Sequence, residues 1–383
     1  MTLIKINPRS TVESMQSTNK NLLLNGDFSV CQRLNHKGGL VESNIISGSN
    51  GVRIDRWNNG GNGGTSGIDG RVYQHTATGN GYTTAGFRNS HRWNVTTGNA
   101  TLHADNYVYT QQRIETKNVV NKLYYGTSNA KTTTLSFWVR SPVTGKYGVS
   151  LVNRKNVSSP GHRRRNIMSY TINASDTWEK KSVTFVGDTD TNFQFDQSDN
   201  NQQPYFAISW LWAAGTNRVA SASSDYTSEG VWYTDTLSNG IEFVAPVGQV
   251  NAFATTGNDI YLAGCQLEIG TVATDFEHRS FQTQIDECQR YLFVGTHGHN
   301  MTDGILSGEA ANSGRYYGLR YSTSSSMARM GYPTVMASMP TLTYTAAGGA
   351  VSTDYSRTDG FQLYDSDDVT WRVHGLIADA ELG

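Results

Sequence analysis

Residues 134–140 read Thr134-Leu135-Ser136-Phe137-Trp138-Val139-Arg140. Leu135, Phe137 and Val139 share one side of an extended chain, and Ser136, Trp138 and Arg140 share the other, because successive strand side chains point to opposite faces. The first side is core. The second carries an indole and a guanidinium, so it is either half-covered or a ligand surface.

Similar alternations recur on both sides of this segment. They predict strands over 71–75, 82–87, 106–113 and 133–140, then over 147–152, 167–172 and 178–186, and later over 205–212, 240–244 and 260–267. Turn residues separate them and no helical period interrupts them, which disfavours a parallel α/β fold. A short helix is expected only near Cys288-Gln289-Arg290-Tyr291. The fold class is therefore all-β: a jelly-roll β-sandwich followed by a smaller C-terminal β-domain. The expected organisation is an arm over 1–20, the sandwich over 21–290 and the second domain over 291–383. In this scheme 22–30 opens the sandwich and 260–267 closes it beside 22–30.

The 39 glycines, 20 tyrosines and a charged content of only 16% favour strands and turns over long helices. A net charge of −1 without a long basic block argues against a nucleic-acid partner. The basic run His162, Arg163, Arg164, Arg165 reads as a solvated loop or an interface patch. No apolar run reaches the ~18 residues of a membrane span and the N-terminus has no signal-peptide core, so a soluble protein without membrane insertion is expected. Cys31, Cys265 and Cys288 fit no metal spacing. They read as three buried thiols, with one bridge and a leftover thiol as the alternative. The glycine-rich run 58–70 lacks the Lys-Ser/Thr of a phosphate cradle and reads as a flexible loop.

Several separated blocks carry a family signal. Residues 21–34 read NLLLNGDFSVCQRL, with a turn at Asn25-Gly26-Asp27, and Arg53, Ile54, Asp55, Arg56 and Trp57 follow. The middle contributes LSFWVRSPVTGKYGVSL over 135–151 and SYTINASDTWEKKSVTFVGDT over 169–189. Residues 266–291 supply the run from Gln266 through Phe276-Glu277-His278-Arg279 to Cys288-Gln289-Arg290-Tyr291, and 337–344 follow with a Met-Pro-Thr segment. In this order the blocks resemble bacteriophage tail-fibre and other virion-surface proteins, and the opening is similar to that of jelly-roll carbohydrate-binding modules. Cys31 stands where the phage pattern often has tryptophan. The resemblance implies a non-catalytic virion structural protein, a tail fibre or receptor-binding protein that recognises host surface glycan. It also implies localisation on the tail or capsid surface, other virion proteins as partners, and a homo-oligomer, with a trimer favoured. The alternative is a purely structural capsid decoration or tail adaptor. A glycan depolymerase is the third reading.

Sugars stack their C–H faces on flat rings and direct their hydroxyls to amides, acids and arginine. Trp57, Trp93, Trp138, Arg140, Trp210 and Trp212 are the candidate ligand-binding residues, each ring being either core or platform. The loop 188–199 (Asp188, Asp190, Asn192, Asp196, Asp199) mimics the start of a calcium loop. However, Phe193 occupies the glycine position and a short aspartate the last one, so a solvated turn is the better reading. No metal or cofactor is expected. No nucleophile elbow or metalloprotease motif is present, and nothing pairs two carboxylates across a cleft.

Overall fold

The computed structural model describes residues 20–32, 46, 51–63, 67–76, 85–154, 163–193, 195, 205–223, 225–235, 244–294, 299–301, 316–322, 325–331, 336, 339–347, 351–365 and 371–380. Two antiparallel sheets dominate. The larger has seven strands in the order β1 (Gly51–Ile54), β2 (Trp57–Asn62), β5 (Tyr107–Glu115), β10 (Tyr205–Ala214), β7 (Gly145–Arg154), β8 (Arg163–Ile172), β11 (Tyr233–Asp235). The smaller has five, ordered β3 (Asp69–Thr76), β4 (Asn89–Thr97), β12 (Asp259–Ile269), β6 (Thr133–Arg140), β9 (Glu179–Phe185).

The inner faces of the two sheets interdigitate. Phe137 of the smaller sheet meets Trp210 at 5.5 Å and Tyr170 at 4.9 Å between ring centroids, both from the larger sheet. Leu135, Phe137 and Val139 are fully buried, as the alternation in 134–140 requires. The protein is thus a β-sandwich, followed by a smaller all-β region. There, β20 (Trp371–Asp379) pairs with β13 (Leu292–Val294), β14 (His299–Met301) and β17 (Thr341–Ala347). A second four-stranded sheet runs β15 (Tyr316–Ser322), β16 (Ser325–Gly331), β19 (Gly360–Asp365), β18 (Val351–Ser356).

Among the described residues, two α-helices of eight and nine residues interrupt the strands. Helix α1 (Thr116–Leu123) is not expected from the sequence pattern. It turns the chain after β5 by burying Thr116, Val119 and Leu123, and ends on Tyr124 in the left-handed conformation. Helix α2 (Phe281–Gln289) is the expected short one. Its first turn is capped by Ser280, whose side chain accepts from the Thr283 N–H.

Four local expectations are corrected. Residues 22–30 form no strand. They run beside β12 through two backbone bonds, Leu22 N–H to Leu267 O and Cys265 N–H to Gly26 O, both 2.8 Å. A Cβ at position 26 would lie 2.2 Å from the Cys265 carbonyl oxygen, so glycine is required there by close backbone approach. The glycine-rich run opens as strand β2, not as a loop. Gly61 lies so close to the Tyr107 carbonyl that a Cβ would sit 2.3 Å away. The basic run is not a solvated loop over its described part: Arg163, Arg164 and Arg165 begin β8 and Arg165 is fully buried, while His162 lies outside the described residues. Finally, β4 is an unexpected strand, whereas 85–87, the described half of the expected strand 82–87, form no strand, and 240–243 of the expected strand 240–244 lie outside the described residues.

The segment 257–291 does more than close the sandwich. After β12 the chain folds back over its own strand. Gln266 and Glu268 point outward but are buried. Glu268 accepts from the Thr274 N–H and hydroxyl at 2.8 and 2.6 Å, and Gln266 accepts from the Glu277 N–H at 2.8 Å. Arg279 then clamps the turn, donating to Glu287, to Glu277 and to the Asn21 carbonyl. His278 stacks beside Phe87 at 5.9 Å. Tyr291 lies under the Arg56 guanidinium, 3.4 Å from its ring centroid.

Candidate functional site

Of the two outer sheet faces, the larger sheet's is covered. Tyr109, Leu211 and Ala245 form one apolar cluster on it, and Ile167, Ala220, Tyr233 and Val244 form another. Among the described residues, 274–277 roof the smaller sheet's outer face where they cover Gln266 and Glu268. Its other half, around the start of β12, carries partly exposed rings and charges.

Strand register arranges these side chains in rows. One row crosses four strands as Tyr73, Arg92, Tyr261, Arg140, alternating ring and guanidinium. The next pairs Ala263 with Trp138 and Trp138 with Lys180. The row on the opposite side holds Arg71, Asn94 and Asp259. Neighbouring strands lie about 4.8 Å apart, so the two arginines, like the two tyrosines, are separated by roughly 10 Å.

Tyr261 is the hub and is only 7% exposed. Arg140 and Arg92 lie 5.2 and 5.8 Å from its ring centroid, His75 meets it edge-on at 5.3 Å, and Trp178 leans on it at 5.9 Å. Arg92 is locked by two bonds to Asp259, 3.0 and 2.8 Å, and Asn94 donates to the same carboxylate at 2.9 Å. Arg140 has a looser acid partner, Asp176 at 3.5 Å. Burial raises the Tyr261 pKa, with the Asp259 charge adding to it. Burial also lowers the His75 pKa, with repulsion from Arg92 next, an opposing pull from Asp259 and a smaller repulsion from Arg140. The surface combines flat rings, guanidinium and amide donors, and a carboxylate already held by Arg92.

The sequence candidates divide sharply. Trp138 and Arg140 lie on this open half. Trp57, Trp93, Trp210 and Trp212 are fully buried in the core, so as packed they offer a ligand no face, which corrects their assignment as platforms. Trp57 packs on Phe28 and Trp210 at 4.8 and 5.7 Å. Two of the indoles belong to an internal polar network: Trp93 and Trp212 both donate to the Thr110 hydroxyl at 2.9 and 3.0 Å. That hydroxyl donates to Asn59 Oδ1 at 3.0 Å, which also accepts from His91 Nε2 at 2.7 Å.

Tyr73, His75, Arg92, Trp178, Asp259 and Tyr261 join this candidate surface, and aromatic counting alone does not find them. A signal for Tyr261 exists in Asp259-Ile260-Tyr261-Leu262, where alternation places Tyr261 opposite the core residues Ile260 and Leu262. The 188–199 loop, expected to be a solvated turn, is not solvated at its first acid. Asp188 is fully buried and held by Arg164 at 3.2 Å, so a cation would have to displace a guanidinium. Asp196 and Asp199 lie outside the described residues. Among the described residues no cluster of three or more His, Cys, Asp or Glu side chains could hold a metal.

No family model matches the sequence, and no curated protein matches it. Solved structures give weak similarities. A bacteriophage CBA120 tailspike enzymatically active domain is 12% identical with a TM-score of 0.31; the match covers 66% of this chain and 22% of that one. A family 11 carbohydrate-binding module from Clostridium thermocellum is 11% identical with a TM-score of 0.28, covering 58% of this chain and 92% of that one. A putative sugar-binding protein from Bacteroides thetaiotaomicron is 10% identical with a TM-score of 0.31, covering 65% and 100%. The chain thus spans only 22% of the length of the tailspike domain.

Proposed function

We propose that this chain is a non-catalytic glycan-recognition protein of a bacteriophage virion, a tail-fibre or receptor-binding component. The observation carrying the glycan reading is the open half-sheet. There Tyr73, Trp138 and Trp178 are partly exposed rings set among Arg92, Arg140, Asn94 and Lys180. Rings take the C–H faces of sugars, and the fixed donors take hydroxyls. The strands supply rigidity, which lowers the entropy lost on binding. The virion setting rests on the sequence blocks over 21–34, 135–151, 169–189 and 266–291. In that setting 1–20 serves as an arm and 291–383 as a second domain, both contacting other virion proteins, in a homo-oligomer with a trimer favoured.

One observation favours the purely structural alternative. Val272 (73% exposed), Phe281 (60%) and Ile269 (44%) present apolar surface around the connector, as an assembly contact would. Adsorption of purified protein to host cells separates the two readings. Binding competed by released surface glycan and lost in Trp138→Ala supports recognition; a protein that joins virions but never adsorbs to cells or glycan refutes it. Release of reducing sugar in the same assay would instead support the depolymerase.

A further inference from the structure

We infer that the glycan taken by this half-sheet is acidic, its carboxylates received by Arg140 and Lys180 while Trp138 stacks on the same sugar. This rests on the glycan reading above. Trp138 and Lys180 are direct cross-strand partners on β6 and β9, so they stand side by side. Trp138 and Arg140 are two residues apart on β6, on one face, and so about 7 Å apart along the strand. One ring therefore has a cation on two sides.

The acids nearby do not cancel these cations equally. Arg92 is fully engaged by the bidentate Asp259, with Asn94 fixing the carboxylate from the other side. Glu179 is occupied by Lys181 and by the Asn173 and Ala174 amides. Among the described residues Arg140 has one acid partner, Asp176 at 3.5 Å, whose side chain is 52% exposed. Such a pair is screened by water and weak. A ligand carboxylate offering two parallel bonds to the planar guanidinium would displace it. A neutral sugar would use the rings and leave this cationic edge unanswered.

The test uses the full chain and oligosaccharides offered in two forms: oligogalacturonate and a sialylated oligosaccharide, each as free carboxylate and as methyl ester, with neutral cello-oligosaccharide alongside. The ester keeps the ring and hydroxyls and removes the charge. Calorimetric titration should show an acid bound about tenfold or more tighter than its ester at low salt, the gap closing as salt rises. Arg140→Gln, with an unchanged melting profile, should lower the preference to about threefold or less. Equal affinity for acid and ester, or a full preference retained in Arg140→Gln, overturns this inference and leaves the glycan reading standing. Absence of binding to every sugar, neutral ones included, overturns the glycan reading itself.

Discussion

His91 stands at the centre of the sandwich, fully buried, and its ring should make the protein acid-labile. Nε2 donates to Asn59 Oδ1 at 2.7 Å, and that oxygen already accepts from Thr110. Nδ1 is buried with no hydrogen-bond partner. A second proton would therefore create a buried charge with nothing to receive its N–H. Burial lowers the His91 pKa from 6.5 to about 3. In the unfolded chain the ring protonates normally, so stability is complete above pH 6.5 and is lost as pH falls towards the folded value. Each unit costs ~1.36 kcal/mol, giving about 2.7 kcal/mol between pH 6.5 and 4.5 and about 5 kcal/mol by pH 3. Urea denaturation at about pH 7 and about pH 4.5, on wild type and His91→Gln, isolates this contribution, because glutamine keeps a donor for Asn59 but cannot titrate. Wild type should lose about 2–3 kcal/mol more than the variant on acidification. If the two lose equal amounts, His91 is not the buried neutral group described, and the polar network around Thr110 needs a different proton arrangement.

Trp138→Ala should abolish glycan retention while changing stability by less than about 1 kcal/mol, whereas Trp210→Ala should cost about 3–5 kcal/mol, as read by denaturant midpoints. Equal destabilisation by the two would place Trp138 in the core. Gly264→Ala should cost at least about 2 kcal/mol, because position 264 has φ +55° and an added Cβ would lie 2.2 Å from Phe87; a melting curve matching wild type would contradict that packing. Alkylation in denaturant without reductant should label all three cysteines, Cys31, Cys265 and Cys288, and alkylation of the native protein none, since all three are buried free thiols. Arg140→Gln should raise the His75 pKa towards its ordinary value, because a repelling cation is removed, and NMR titration of the ring reads this directly; a downward or absent shift would detach Arg140 from the Tyr261 cluster.

The strands with period-two patterns were legible because one face of each is core. Leu135, Phe137 and Val139 announce β6, and Ile260 and Leu262 announce β12. Strand β4 was obscured because its inward side mixes His91 with Trp93 and Val95, a polar residue tolerated only through the Asn59 bond. Strand β2 was obscured by glycines whose cause is the nearby Tyr107 backbone, a tertiary contact with no local signature. Helix α1 spans only eight residues and buries three of them, too short a period to stand out.

The same limit applies to the candidate site, and it explains why tryptophan counting chose four core rings. A tryptophan in a strand says only that one face holds a large ring. Which face is open depends on what the rest of the chain lays over it. Here Ala220, Tyr226, Val244 and Ala245 cover one sheet's outer face, and 274–277 roof half of the other. The bulge at Ala263–Gln266 divides the two halves of β12. On one side of it, outward Gln266 and Glu268 become buried anchors for the connector; on the other, outward Asp259 and Tyr261 organise the surface around Arg92, Arg140 and Trp178. One strand thus holds the connector in place with half its outward residues and builds the proposed binding face with the rest. Changing Gly264 should disturb both together, so a Gly264→Ala variant that lost connector packing while keeping full glycan affinity would separate the two roles.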